Sequence, residues 1–195
     1  MEWILASASP RRKELFAELV EKFEIVPAQG EEKTEIGLTP KQLVQALAKQ
    51  KALEVASMPS AKGKFVLGAD TVVALGDEVL GKPKNEADAK RMLTALSGRS
   101  HDVYTGVCIV YLDENGNLTT LVDAARTEVV FETLSEEQID AYVASGSPMD
   151  KAGAYGIQDG GLVKEIKGSY SNVVGLPMEL LEGLIKVVLA GAGTR

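Results

Sequence analysis

Cysteine and histidine occur once each in the 195 residues, and aromatic side chains make up only 5% of the chain. No apolar run approaches the roughly 18 residues needed to cross a bilayer. Each shortage excludes something. A lone Cys108 cannot close an intrachain disulfide, and its setting, Gly106-Val107-Cys108-Ile109-Val110, reads as an apolar strand in which the thiol packs as a small hydrophobe. With His101 as the sole imidazole, a histidine-rich metal site is excluded, and a Ser-His-Asp hydrolase would depend on this one residue. No Gly-x-Ser-x-Gly elbow is present, so His101 is expected to be a hydrogen-bonding residue that shapes a loop. Few aromatics for base stacking and an excess of acids, 28 Asp and Glu against 21 Lys and Arg, argue against nucleic-acid binding. The opening Met1-Glu2-Trp3-Ile4-Leu5 lacks the basic region of a signal peptide. The expectation is a protein of the cytoplasm, with no membrane association.

What is present suffices for one substantial core: 45% of residues are hydrophobic, and residues 1–195 read as a single domain. Trp3 to Ala6 is a short apolar strand. Ser9 then caps a helix that places Pro10 at its first position and buries Leu15, Phe16, Leu19 and Val20. Phe23 to Pro27 is a second short strand. Thr39-Pro40-Lys41-Gln42 is a capping box for a helix to about Ser57. Phe65 to Ala74 reads as a strand buried on both faces. Asn85 opens a helix through Met92, Leu93 and Leu96, and Ser135 another through Ile139, Tyr142 and Val143. Between them, Val103 to Leu112 and Leu118 to Phe131 flank Asn115-Gly116, a strong hairpin signal. A glycine-rich stretch from Gly153 to Gly175 leads to a last helix from Pro177 to about Leu189. The pattern is α/β, with helices around a long mixed sheet.

Several segments carry chemistry. Ser7-Ala8-Ser9-Pro10-Arg11-Arg12 puts two hydroxyls, two guanidinium groups and the unsatisfied N–H groups of a helix start in one place, which suits an anion such as phosphate. Asp70 interrupts an apolar strand, and an ionised carboxylate there requires a metal, a cation or an opening to water. Glu31-Glu32 lies in a polar loop from which a carboxylate can reach a metal shared with Asp70. Gly76 to Pro83 nearly matches the GxxxxGK[ST] phosphate loop. Pro83, however, removes the required hydroxyl and a backbone donor, so Lys82 remains only as a point charge for phosphate. The run Lys151 to Gln158 lacks GxGxxG spacing and gives a dinucleotide site little support.

Taken in order, these segments resemble the Maf family of nucleotide pyrophosphatases. The resemblance rests on Leu5 to Arg12, Gly68 to Val73, Leu80 to Pro83, Leu96 to His101, Val103 to Gly106, Asp150 to Gln158 and Gly168 to Pro177. It implies an elongated mixed sheet flanked by helices, similar to inosine triphosphate pyrophosphatases, with two lobes around a nucleotide cleft, and a homodimer. Carried over by motif position, Arg11, Arg12, Glu32, Lys51, Asp70 and Lys82 form the polar catalytic set, with Asp70 as proton acceptor. Ser7, Ser9, Arg11, Arg12, Thr71 and Gln158 contact substrate, and Arg11, Thr71 and Gln158 discriminate among substrates. Gln29 stands where many members of that family carry an acid.

The activity implied is hydrolysis of a nucleoside triphosphate to the monophosphate and diphosphate. Glu32 and Asp70 hold Mg²⁺, with Mn²⁺ as the alternative. Ser-Pro-Arg-Arg and Gly156-Ile157-Gln158 look like the branch that prefers dTTP and UTP and removes unwanted or modified nucleotides. The alternatives are the sister branch acting on 7-methyl-GTP and a non-catalytic nucleotide-binding regulator of septum formation.

Overall fold

A computed structural model of the chain describes residues 1–113 and 115–192. In chain order the elements are β1 (Trp3–Leu5), α1 (Pro10–Leu19), β2 (Glu24–Ile25), α2 (Pro40–Ala56), β3 (Phe65–Leu75), β4 (Glu78–Leu80), α3 (Glu86–Leu96), β5 (Ser100–Leu112), β6 (Leu118–Phe131), α4 (Glu136–Ala144), β7 (Val163–Lys167), α5 (Tyr170–Val174) and α6 (Met178–Ala192). The strands form one mixed sheet in the order β2-β1-β3-β5-β6-β7, with β4 added to β3. β1 runs parallel to β2 and β3, while β3, β5, β6 and β7 pair antiparallel.

Local chemistry explains the helix starts. Ser9, Thr39, Asn85 and Ser135 each accept a backbone N–H of the first turn, and Thr39 and Ser135 complete capping boxes with Gln42 and Gln138. In the β5–β6 turn, Asp113 accepts the N–H groups of Asn115 and Asn117, and Gly116 takes φ +86°. Glu114 in that turn, and residues 193–195, lie outside the described residues.

Two expectations are corrected. The strand expected over Phe23 to Pro27 contracts to Glu24–Ile25, which pairs with β1 alone at the sheet edge. The glycine-rich stretch is not merely a connection, because it contains β7 and α5. β7 is mostly polar and half-exposed, so it lacks the apolar alternation that announces a strand.

The period-two alternation of β3 and β5 sorts the core onto two faces. Phe65, Leu67, Ala69, Val107 and Ile109 pack with α1 and α6, whereas Val66, Cys108 and Val110 pack under α2. A third cluster gathers the far end of β3 with β4, α3 and α4 around Val73, Met92, Leu93, Phe131 and Ile139. Burying each large side chain of this kind contributes about 1.5–3 kcal/mol relative to exposure. Cys108 is fully buried, as expected, and burial pushes its thiol up to about 12. α2 lies close on the sheet because Gly68 and Gly106 face it: a Cβ at Gly68 would collide with the Ala48 carbonyl, and one at Gly106 with that of Val44.

Candidate active site

One edge of β3 is paired with β5 over most of its length. The other edge is shared: β1 covers Phe65–Leu67 and β4 covers Val73–Leu75, leaving Gly68–Val72 between them. A cleft of about 770 Å³ opens at this gap. Ser7, Ser9, Arg11 and Arg12 reach it from the start of α1, Glu32 from the loop after β2, Lys51 from α2, Asp70 and Thr71 from β3, Lys82 from beyond β4, and Gln158 from a short turn at Ile157–Asp159. All ten residues expected to form a site line this one cleft.

Alternation assigns Asp70 to the α2 side of β3 and Thr71 to the α1 side. On α2, Val44, Leu47, Ala48 and Val55 face the sheet, and Lys51 lies on the same stripe. Its Nζ is 2.5 Å from Asp70 Oδ1 and 2.8 Å from Glu32 Oε1. Glu32 is brought there by side chains of α2. Gln50 donates to the Glu31 carbonyl and accepts the Lys33 N–H, while Glu54 accepts the N–H groups of Gln29 and Gly30. Gln29 itself contributes to this anchor through its backbone. Burial drives the Asp70 carboxyl above the ordinary carboxylate range, with Lys51 and Arg12 opposing and Glu32 adding to the rise.

The sequence poses a question at α1, since cations oppose the dipole at a helix start. Arg12 answers it by turning into the cleft. Its Nε donates to the Gly175 carbonyl at 2.8 Å, Nη1 to Ser7 Oγ at 3.4 Å and Nη2 to Thr71 Oγ1 at 3.1 Å. Burial lowers its pKa, and the charge of Asp70 works against that fall. Arg11 instead reaches across to Asp150, 3.4 Å away.

Sequence reasoning missed the role of Asp150 and Lys151. Both line the cleft, and the Lys151 ammonium bonds the Ser147 carbonyl at 2.5 Å and Asp150 at 3.0 Å. The Lys151 stem passes over Gly156, where a Cβ would stand 2.7 Å from its Cε. Asp159 continues the network by accepting from Tyr142 and Ser147. The available signal was a charged pair directly before a glycine-rich run. His101 is buried on β5 behind the cleft. Its Nε2 is 2.7 Å from the hydroxyl of Tyr155, a wall residue of the cleft, and burial lowers its pKa to about 4. It therefore shapes the glycine-rich loop from a strand.

Asp70 and Glu32 converge on one cation, the Lys51 ammonium, so their oxygens are aimed at a common region. Among the described residues no three His, Cys, Asp or Glu side chains form a metal cage. Two hard oxygen donors in an open cleft fit an ion such as Mg²⁺, which takes one or two carboxylates and completes its shell with phosphate oxygens and water.

The profile of the family described as Maf-like protein matches residues 2–188. A dTTP/UTP pyrophosphatase of Agathobacter rectalis is 48% identical over 192 residues, covering 91% of this chain and 93% of its own. The dTTP/UTP pyrophosphatase of Bacillus cereus is 50% identical over 180 residues, 91% of each chain. Among solved structures, a HAM1 protein from Coxiella burnetii gives a TM-score of 0.54 at 18% identity, covering 95% of this chain and 98% of that one. This last likeness is one of fold.

Proposed function

The chain belongs to the Maf-like family, and from that premise we propose that it hydrolyses dTTP and UTP to the nucleoside monophosphate and diphosphate, clearing unwanted or modified nucleotides. The observation that carries this reading is the meeting of five cationic side chains, Arg11, Arg12, Lys51, Lys82 and Lys151, with the carboxylates of Glu32, Asp70 and Asp150, drawn from distant parts of the chain, in one cleft. Relatives about half identical in sequence bear the name dTTP/UTP pyrophosphatase.

In this reading Asp70 accepts a proton from water as its oxygen attacks the α-phosphorus, and the bond from that phosphorus to the bridging oxygen breaks toward diphosphate. Burial raises the Asp70 carboxyl and so makes it a stronger base than an exposed carboxylate. Arg11, Arg12, Lys51 and Lys82 balance charge on the α-phosphate and the leaving group, the term that dominates phosphoryl transfer. Ser7 and Ser9 hold phosphate oxygens at the α1 start. Glu32 and Asp70 would hold Mg²⁺, or Mn²⁺ in its place, which would supply charge neutralisation and Lewis acidity. Thr71 and Gln158 act with Arg11 in substrate selection.

The reading extends to a homodimer in the cytoplasm that acts on free nucleotides, apart from nucleic acid and membranes. Among the described residues no helix is long and apolar enough to cross a membrane. The test is product analysis with purified protein, Mg²⁺ and dTTP, UTP or 7-methyl-GTP. Equal amounts of diphosphate and dTMP or UMP are expected. Orthophosphate with the nucleoside diphosphate, preference for 7-methyl-GTP, or binding without turnover would each refute the assignment.

A further inference from the structure

Behind the cleft lies a chain of hydrogen bonds whose direction can be worked out atom by atom. Thr105, fully buried on β5, donates to the Asn172 carbonyl at 2.9 Å. A carbonyl only accepts, and a threonine hydroxyl has one proton. At the 2.8 Å contact between Thr71 and Thr105, Thr105 therefore accepts and Thr71 donates. With its proton committed inward, Thr71 meets Arg12 Nη2 with a lone pair. The sequence of donation is Arg12 to Thr71 to Thr105 to the Asn172 carbonyl.

The far end of this chain is fixed as well. Asn172 Nδ2 donates to the Val103 carbonyl and to Thr127 Oγ1, both at 3.0 Å, and the Thr127 hydroxyl donates to the Ser169 carbonyl. The carbonyl partner at Val103 demands a donor, which sets the amide orientation. At the near end, Arg12 has five N–H groups. Gly175, Ser7 and Thr71 take one each. Among the described residues, one N–H on Nη1 and one on Nη2 have no protein acceptor, which leaves the guanidinium with donors for the oxygens of an anionic ligand.

We infer that Thr105 is a positioning residue for the reaction: by taking the proton of Thr71 it turns a lone pair toward Arg12 and fixes the guanidinium at the phosphates. The inference rests on the pyrophosphatase reading above. It also assigns Thr71 no proton to donate to a substrate, so that residue selects through its methyl group and through Arg12.

The test compares Thr105→Val, which keeps shape and loses the hydroxyl, with Thr105→Ser, which keeps the hydroxyl and loses the methyl; Thr105→Ala replaces valine should that variant not fold. Thr105→Val is expected to lower kcat for dTTP by about tenfold or more with a smaller change in KM, while Thr105→Ser stays within about threefold of the parent. A packing role reverses the order, leaving valine near the parent and serine impaired, and would overturn the inference. Should the parent release no diphosphate, the pyrophosphatase reading fails separately. Thr105 is then judged by calorimetric affinity for the α,β-imido analogue of dTTP: valine weaker than serine supports positioning, and equal affinities refute it.

Discussion

Replacing Asp70 by Asn preserves the shape of the side chain and removes its basicity and charge. Turnover of dTTP should fall by at least about a hundredfold, while thermal unfolding shows an intact fold, since Lys51 keeps Glu32 as a partner. Near-parental turnover in the folded variant would exclude Asp70 as the proton acceptor. Gln158 makes a sharper distinction. Its exposed amide on the cleft wall offers both a donor and an acceptor to the O4 and N3–H edge of thymine or uracil. Gln158→Ala should lower kcat/KM for dTTP and UTP by about tenfold or more and spare CTP, GTP and ATP. A uniform drop would mean that it only braces its loop. Asp70 was legible in the sequence because a charge inside an apolar strand needs a reason. Lys51 was not legible from its own surroundings, since a lysine on an alanine-rich helix looks like any solvated one; only the family resemblance picked it out. Thr105 was concealed in a strand where threonine is commonplace.

At the level of elements, the approach of α2 to β3 and β5 controls where Lys51 stands. Gly106→Ala tests this. Gly106 does not occupy a positive-φ conformation, so alanine is allowed there by the backbone and would normally add about 0.4–1 kcal/mol by restricting the unfolded chain. The collision with the Val44 carbonyl reverses the sign. Urea unfolding should show a loss of about 1–3 kcal/mol, together with weaker turnover as α2 shifts. An unchanged or increased stability would show that α2 yields freely. Helix starts were readable because caps act within four residues of sequence. β7 and α5 were not, because β7 is a polar strand whose existence depends on pairing with distant β6. α5 is five residues long and is held by the buried side chain of Asn172.

For the molecule as a whole, the one buried imidazole predicts a pH dependence of stability. His101 titrates near 6.5 when unfolded and about 4 when folded, because burial disfavours the cation. Between these values the unfolded state binds more protons, so stability is full above the upper value and is lost as pH falls through the window. The loss attributable to His101 should reach about 2 kcal/mol by about pH 5. Urea unfolding of the parent and of His101→Gln at about pH 7.5 and about pH 5 isolates it, because other titrating groups cancel in the difference. An identical slope in both proteins would contradict the burial of a neutral ring.

The two walls of the cleft are assigned by consecutive residues of one strand, and that has a consequence for how the chain tolerates length changes. Inserting one residue between Leu67 and Asp70 would rotate everything after it to the opposite face, aiming the carboxylate at Arg12 and the hydroxyl at Lys51. Asp70 and Thr71 would both still be present, each facing the wrong wall of the cleft. Inserting two would restore the facing but carry both groups about 7 Å along the strand, toward the stretch that β4 covers. Substitutions can tune this cleft gradually; an indel in β3 acts on it as a parity switch.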